Sequence, residues 1–151
     1  MKKNALTIAV GILLILYALL NLGAGFGEFT KAQMVSGTSS AVSSLGDMAG
    51  DHYRASRLRR EGREASTVLY LIAIFIFATA ILDFVASVGL FSGANWAFGV
   101  LILAAICGIL VEAQDIAEDG FGVGKAVFLA INGLALITAF TARKPQIETT
   151  K

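Results

Sequence analysis

Asp83 is the one ionisable side chain set well inside a long apolar stretch, and proton or cation handling is the chemistry it would bring there. A carboxylate at that depth costs about 2.5 to 3.5 kcal/mol on insertion scales until it finds a partner. It must face a neighbouring helix or a water-filled cavity. That leaves two readings: an ion or proton site or gate, and a carboxyl group hydrogen-bonded across a bundle. Asn95, Thr7, Thr138 and Thr141 fall at a similar level, with Lys3 and Arg143 in range as ionic partners.

Two amides also lie within apolar stretches, Asn132 and Asn21. At such depths an amide commonly bonds between helices and is worth about 0.6 to 2 kcal/mol. Asn21 and Asp83 are expected on opposite sides of the bilayer midplane, so the three do not form one cluster.

A second group is acidic. Glu112, Asp115 and Asp119 are spaced i, i+3, i+7, which places them on one face of a continuing helix. Hard cations take carboxylate oxygens, but the spacing is not that of an EF-hand loop and no histidine supports a di-iron set. The group reads as an ordinary charged helix end, with no metal and no cofactor expected. His52, the only histidine, reads as solvated, and Cys107, the only cysteine, as a small buried residue. There is no Walker loop, no dinucleotide glycine pattern and no nucleophile–histidine–acid arrangement, so no enzyme activity is expected.

The elements that must position these residues follow from hydropathy. Four apolar runs cover approximately 5–27, 67–91, 94–111 and 126–142. Each matches the roughly 20 residues a helix needs to cross about 30 Å of hydrocarbon. A backbone in lipid must satisfy its own hydrogen bonds, and these runs lack the alternation of a barrel strand. The expected fold is an all-α membrane protein, a four-transmembrane-helix bundle in a single domain over 1–151. The composition agrees: 56% hydrophobic, 15% charged and a mean hydropathy of +0.75 are hard to reconcile with a soluble domain. The stretch after Lys2-Lys3 is longer than a signal core, and Gly23–Gly27 is a poor cleavage site, so it reads as the first span.

A long, partly helical polar loop is expected between helices 1 and 2, residues 28–66. Ser36–Gly50 is rich in Ser, Gly and Ala and reads as a flexible turn, whereas Asp51–Ser66 is dense in charge. Arg57/Glu61 and Arg60/Glu64 are spaced i,i+4 as on a solvated helix, which Gly62 weakens. The favoured form is an extended helical hairpin whose charged arm runs into the second span. Arg54, Arg57, Arg59, Arg60 and Arg63 would there contact an acidic partner or anionic headgroups.

Ser92-Gly93 makes a tight turn, which sets helices 2 and 3 side by side and antiparallel, and Glu112–Lys125 joins helices 3 and 4. Gly89/Gly93, Ala104/Gly108 and Ala126/Ala130 give the small-xxx-small spacing of close helix contacts. A net charge of +1 gives no reason to expect nucleic acid. Positive charge divides between the two sides, and Lys2-Lys3 favours cytoplasmic termini in a plasma or inner membrane. The expected partners are the bilayer and other membrane subunits or a second copy. The function expected is that of an accessory or scaffold subunit or a homo-oligomer; the alternative is a small channel or ion- or proton-coupled transporter using Asp83.

Overall fold

The computed structural model describes residues 5–142, apart from the side chain of Ala142, as four helices: α1 Ala5–Met48, α2 His52–Ser92, α3 Ala97–Asp119 and α4 Val123–Ala142. All four are long and apolar enough to cross a membrane. Among the described residues the chain falls into two compact units, 5–20 with 78–142, and 21–77.

The polar loop expected over 28–66 is absent as a loop. Residues 28–48 continue α1 and 52–66 begin α2, so only Ala49–Asp51 lie between the helices. The serines of Ser36–Gly50 do not break the helix because they bond backward along it. Ser39 Oγ donates to the Ser36 carbonyl at 3.0 Å, Ser43 Oγ to that of Ser40 at 2.9 Å and Ser44 Oγ to that of Ala41 at 2.7 Å. The reversal itself is built on Gly50, whose φ of 80° only glycine adopts without strain. Its N–H reaches the Asp47 carbonyl at 3.1 Å and the next N–H, of Asp51, reaches that of Gly46 at 3.0 Å. This pair satisfies the last carbonyls of α1. Asp51 then caps α2, its carboxylate accepting from the Arg54 N–H at 3.2 Å.

In the unit 21–77 the two helices run antiparallel in one unslipped register. A Cβ at Gly46 would stand 3.4 Å from that of Ala55, and one at Gly62 would fall on the Ser39 side chain. Further along, Phe29 meets Tyr70 with ring centroids 5.3 Å apart and Phe26 meets Phe77 at 5.2 Å. Within this unit the contact is made by small residues that recur every seventh position: Gly25, Ala32, Ser39 and Gly46 on α1, and Ser66 and Ala73 on α2. A repeat of 3.5 residues per turn keeps such a stripe on one seam, and small residues let the backbones approach closely. Gly62 is therefore a contact point and not a weak place in the helix. With 44 and 41 residues, α1 and α2 each have about twice the roughly 20 residues that a hydrocarbon crossing needs.

The unit 5–20 with 78–142 is a bundle with segments of all four helices in its core. Val10 and Leu14, Ala86 and Leu90, Ala97, Phe98, Leu101 and Ala105, and Ala135 and Ala139 pack together. Large side chains point outward instead: Ile12, Leu16, Ile81, Phe84, Leu103, Leu110 and Phe140 are all exposed. Alanines at five of the ten core positions let the helices approach closely, while these large outward side chains suit a lipid solvent. The tight turn is as expected: Gly93 has φ 74°, its N–H reaches the Leu90 carbonyl at 3.2 Å and the Ala94 N–H reaches that of Gly89 at 3.0 Å.

Helix α3 extends to Asp119, eight residues beyond the apolar run expected to end at Val111, and α4 begins at Val123. The connection expected over Glu112–Lys125 shrinks to Gly120–Gly122. In these extra turns Gln114 Nε2 donates to Glu118 at 3.0 Å, and Glu112, at their start, is buried. Gly120, at φ 81°, ends the helix with its N–H on the Ile116 carbonyl at 2.9 Å.

Candidate functional site

The bundle buries a set of polar side chains that its seams position. On α2, Thr79, Asp83 and Ser87 follow at one-turn intervals and are all fully buried. Ser87 Oγ donates to the Gly11 carbonyl on α1 at 2.7 Å. Gly11 is needed there, because a Cβ would come 2.9 Å from Cζ of Phe91. Asp83 is thus buried inside the bundle. Of the residues expected at its level, Thr7 and Thr138 are buried while Asn95 and Thr141 are exposed. Lys3 and Arg143 lie outside the described residues.

A second polar cluster forms where α1, α3 and α4 meet. Tyr17 is buried on α1, and its hydroxyl donates to Oε1 of Glu112 on α3 at 3.2 Å. Its ring packs on Phe128 of α4 with centroids 5.2 Å apart. One turn further along α4, Asn132 is fully buried and its Nδ2 donates to the Phe128 carbonyl at 3.0 Å. The amide lies directly against Gly108, where any Cβ would collide with it, and Gly108 is one turn before Glu112. Asn132 Oδ1 accepts no hydrogen bond among the described residues.

Tyr17 is joined to Glu112, and Asn132 packs against Gly108, one turn before Glu112 on α3. It does not bring the acidic trio together, since Glu112 is buried while Asp115 and Asp119 on the same helix are exposed. Among the described residues no group of three or more His, Cys, Asp or Glu side chains is arranged to hold a metal. Asn21 belongs to the other unit; it is buried, and its Nδ2 has no hydrogen-bond partner among the described residues. Cys107 is half-buried.

Sequence reasoning missed Tyr17 and undervalued Glu112. A signal for both exists: Tyr17 falls in register with Val10, Leu14 and Asn21 on the buried face of α1, and Glu112 follows Ala104, Ala105 and Gly108 on that of α3.

On the arm the arginines are mostly engaged with acids. Arg57 and Arg60 pair with Glu61 at 2.7 Å and Glu64 at 2.9 Å, and Arg54 with Asp51 at 3.4 Å. Arg59 crosses to α1, pairing with Asp47 and donating from Nε to Ser43 Oγ at 3.0 Å. Hydrogen bonds to Glu61 and Glu64 raise the Arg57 and Arg60 guanidinium pKa values. The His52 ring, 3.2 Å from Asp47, is the main cause of a lowered Asp47 pKa, with Arg59 adding to it. Arg63 makes no ion pair among the described residues. Beside the charges runs a groove of roughly 500 Å³, lined by Met34, Val35, Val42, Leu58, Gly62 and Ala65 among others.

Comparisons with protein families, with curated proteins and with solved structures return no match.

Proposed function

We propose that this chain is a membrane-anchored interaction protein, an accessory or scaffold subunit whose docking element is the two-helix arm over residues 28–66. The observation that carries this reading is the apolar groove on the arm. Met34, which lines it, is 65% exposed, and Leu45 and Met48, further along α1 and outside its lining, are 65% and 84% exposed, in a part of α1 beyond the length that hydrocarbon covers. Exposed apolar surface in contact with water marks a binding site. Its occupant is an apolar helix of another membrane subunit, laid into the groove between α1 and α2. The arginine group has a smaller part than its number implies, because four of the five are held by acids of the same arm; Arg63 is the one left for a partner's acid or an anionic headgroup. On this reading both termini face the cytoplasm across a plasma or inner membrane, and the chain is a single integral membrane domain without enzymatic activity.

The test is photo-cross-linking in the native membrane from a benzophenone residue at Met34 or at Leu45, with Ile12 as the lipid-facing control. A discrete protein adduct from the arm positions and none from position 12 supports the reading. Adducts with lipid alone at all three sites end it, and an adduct of two identical chains turns it into self-assembly.

A second reading is favoured by the complete burial of Asp83: a small channel or proton-coupled carrier with that carboxyl in its path. Proton or cation flux into vesicles holding the purified chain, lost in Asp83→Asn, is its signature.

A further inference from the structure

We infer that the ion taken by Asp83 is a proton and not a metal cation, and that the dry seam closed by Gly11 and Ser87 sets this choice. The inference rests on the second reading above, a channel or carrier that uses Asp83, and it names the ion. Thr79, Asp83 and Ser87 are spaced i, i+4, i+8 on α2, so they stack on one face with about 5 to 6 Å between successive Cβ atoms. All three are fully buried. Val10 and Ala86, the sequence neighbours of Gly11 and Ser87, pack in one core cluster with Leu14 and Leu90.

The seam has no slack. Ser87 Oγ donates to the Gly11 carbonyl at 2.7 Å, which draws α2 onto the backbone of α1. A Cβ at Gly11 would already collide with the Phe91 ring. A hard metal cation needs a shell of several oxygens, supplied by protein or by the waters it keeps. The α2 face supplies one carboxyl group, with a hydroxyl one turn away on either side. Waters to complete a shell need a cavity of their own, and side chains buried this completely border none. A proton needs one oxygen lone pair and no space. The other buried titratable side chains of this unit are Tyr17 on α1 and Glu112 on α3, bonded to each other at 3.2 Å, while Cys107 on α3 is half-buried. On α4 the titratable group is Lys125, whose Nζ is bonded to the Asp115 carbonyl.

The test is ion uptake by vesicles holding the purified full-length chain, read in parallel with an enclosed pH-sensitive dye and with external radioactive sodium. Under an inside-negative potential, proton uptake is expected that is lost in Asp83→Asn, with sodium uptake no greater than in protein-free vesicles. Gly11→Ala, which forces the seam apart, should admit sodium, and Ser87→Ala should do so more weakly. A merely structural role for the seam would leave this selectivity unchanged. If Gly11→Ala fails to fold, Ser87→Ala carries the comparison, and complete sodium exclusion in it overturns the role of the seam. Wild-type sodium uptake that Asp83→Asn abolishes overturns the proton assignment and leaves the channel or carrier reading standing. Proton uptake that survives Asp83→Asn overturns the assignment to this carboxyl, and uptake of neither ion ends both the inference and the reading beneath it.

Discussion

Ser39 on α1 occupies the space that a side chain at Gly62 on α2 would need. The pair fixes how closely the two helices of the arm approach, midway between the Gly46–Ala55 contact and the Phe29–Tyr70 ring pair. Replacing glycine by alanine inside a helix ordinarily adds about 0.5 to 1 kcal/mol. At Gly62 the sign should reverse, with a net loss of about 1 to 3 kcal/mol from overpacking. Gly37, with nothing near its Cβ position, should show the ordinary gain. Thermal melts of the detergent-solubilised variants check both, and Ser39→Gly combined with Gly62→Ala should recover most of the loss.

The hairpin was half legible in the sequence. Charge spacing at Arg57/Glu61 and Arg60/Glu64 marked the descending helix correctly, and the apolar runs marked all four spans. The ascending stretch over Ser36–Gly50 was misread as flexible because Ser and Gly usually punctuate structure. The period of seven that links Gly25, Ala32, Ser39 and Gly46 was the contrary signal, and hydropathy is blind to it since these residues are neither strongly apolar nor polar. At the polar cluster the difficulty was different. Asn132 was visible as a buried amide, but Gly108, against which it packs, lies on another helix, as Glu112 does from its partner Tyr17, and only packing brings each pair together.

Ser87 and Gly11 tie α1 to α2 inside the bundle through a 2.7 Å hydrogen bond. Ser87→Ala should cost about 0.6 kcal/mol, and at most about 1.7, as interhelical bonds in membranes do. Gly11→Ala should cost more, because the Phe91 ring must move. Chemical unfolding in mixed micelles separates the two, and equal effects would mean that the seam tolerates a methyl group.

Gly108 and Asn132 make the equivalent contact between α3 and α4. Gly108→Ala pushes a methyl group onto the buried amide and should destabilise by about 1 to 3 kcal/mol. Asn132→Ala in the same chain should relieve it. Melts of the single and double variants would reveal this as strong non-additivity.

Acid should loosen the turn end of the arm. The Asp47 pKa is depressed below its ordinary 3.8, first by the hydrogen bond with the His52 ring. A depressed carboxyl contributes stability that is present above the unfolded pKa and is lost as pH falls through the folded value. The melting temperature should therefore drop on acidification below about pH 4, and this drop should shrink in Asp47→Asn. Arg59 and His52 are the groups facing Asp47, so Arg59→Gln should reproduce part of the effect. Hydrogen exchange at 44–56 between pH 6 and pH 3 would localise it. The pair is exposed, so the change should be small and should fade in high salt.

The most direct test of the interaction role is native mass spectrometry of the tagged chain, extracted gently from its own membrane. The expected result is a reproducible assembly with a larger membrane subunit, lost when Met34→Glu and Leu45→Glu are introduced together on the arm. A wild-type chain that emerges alone, or an assembly that survives both substitutions, would contradict the account.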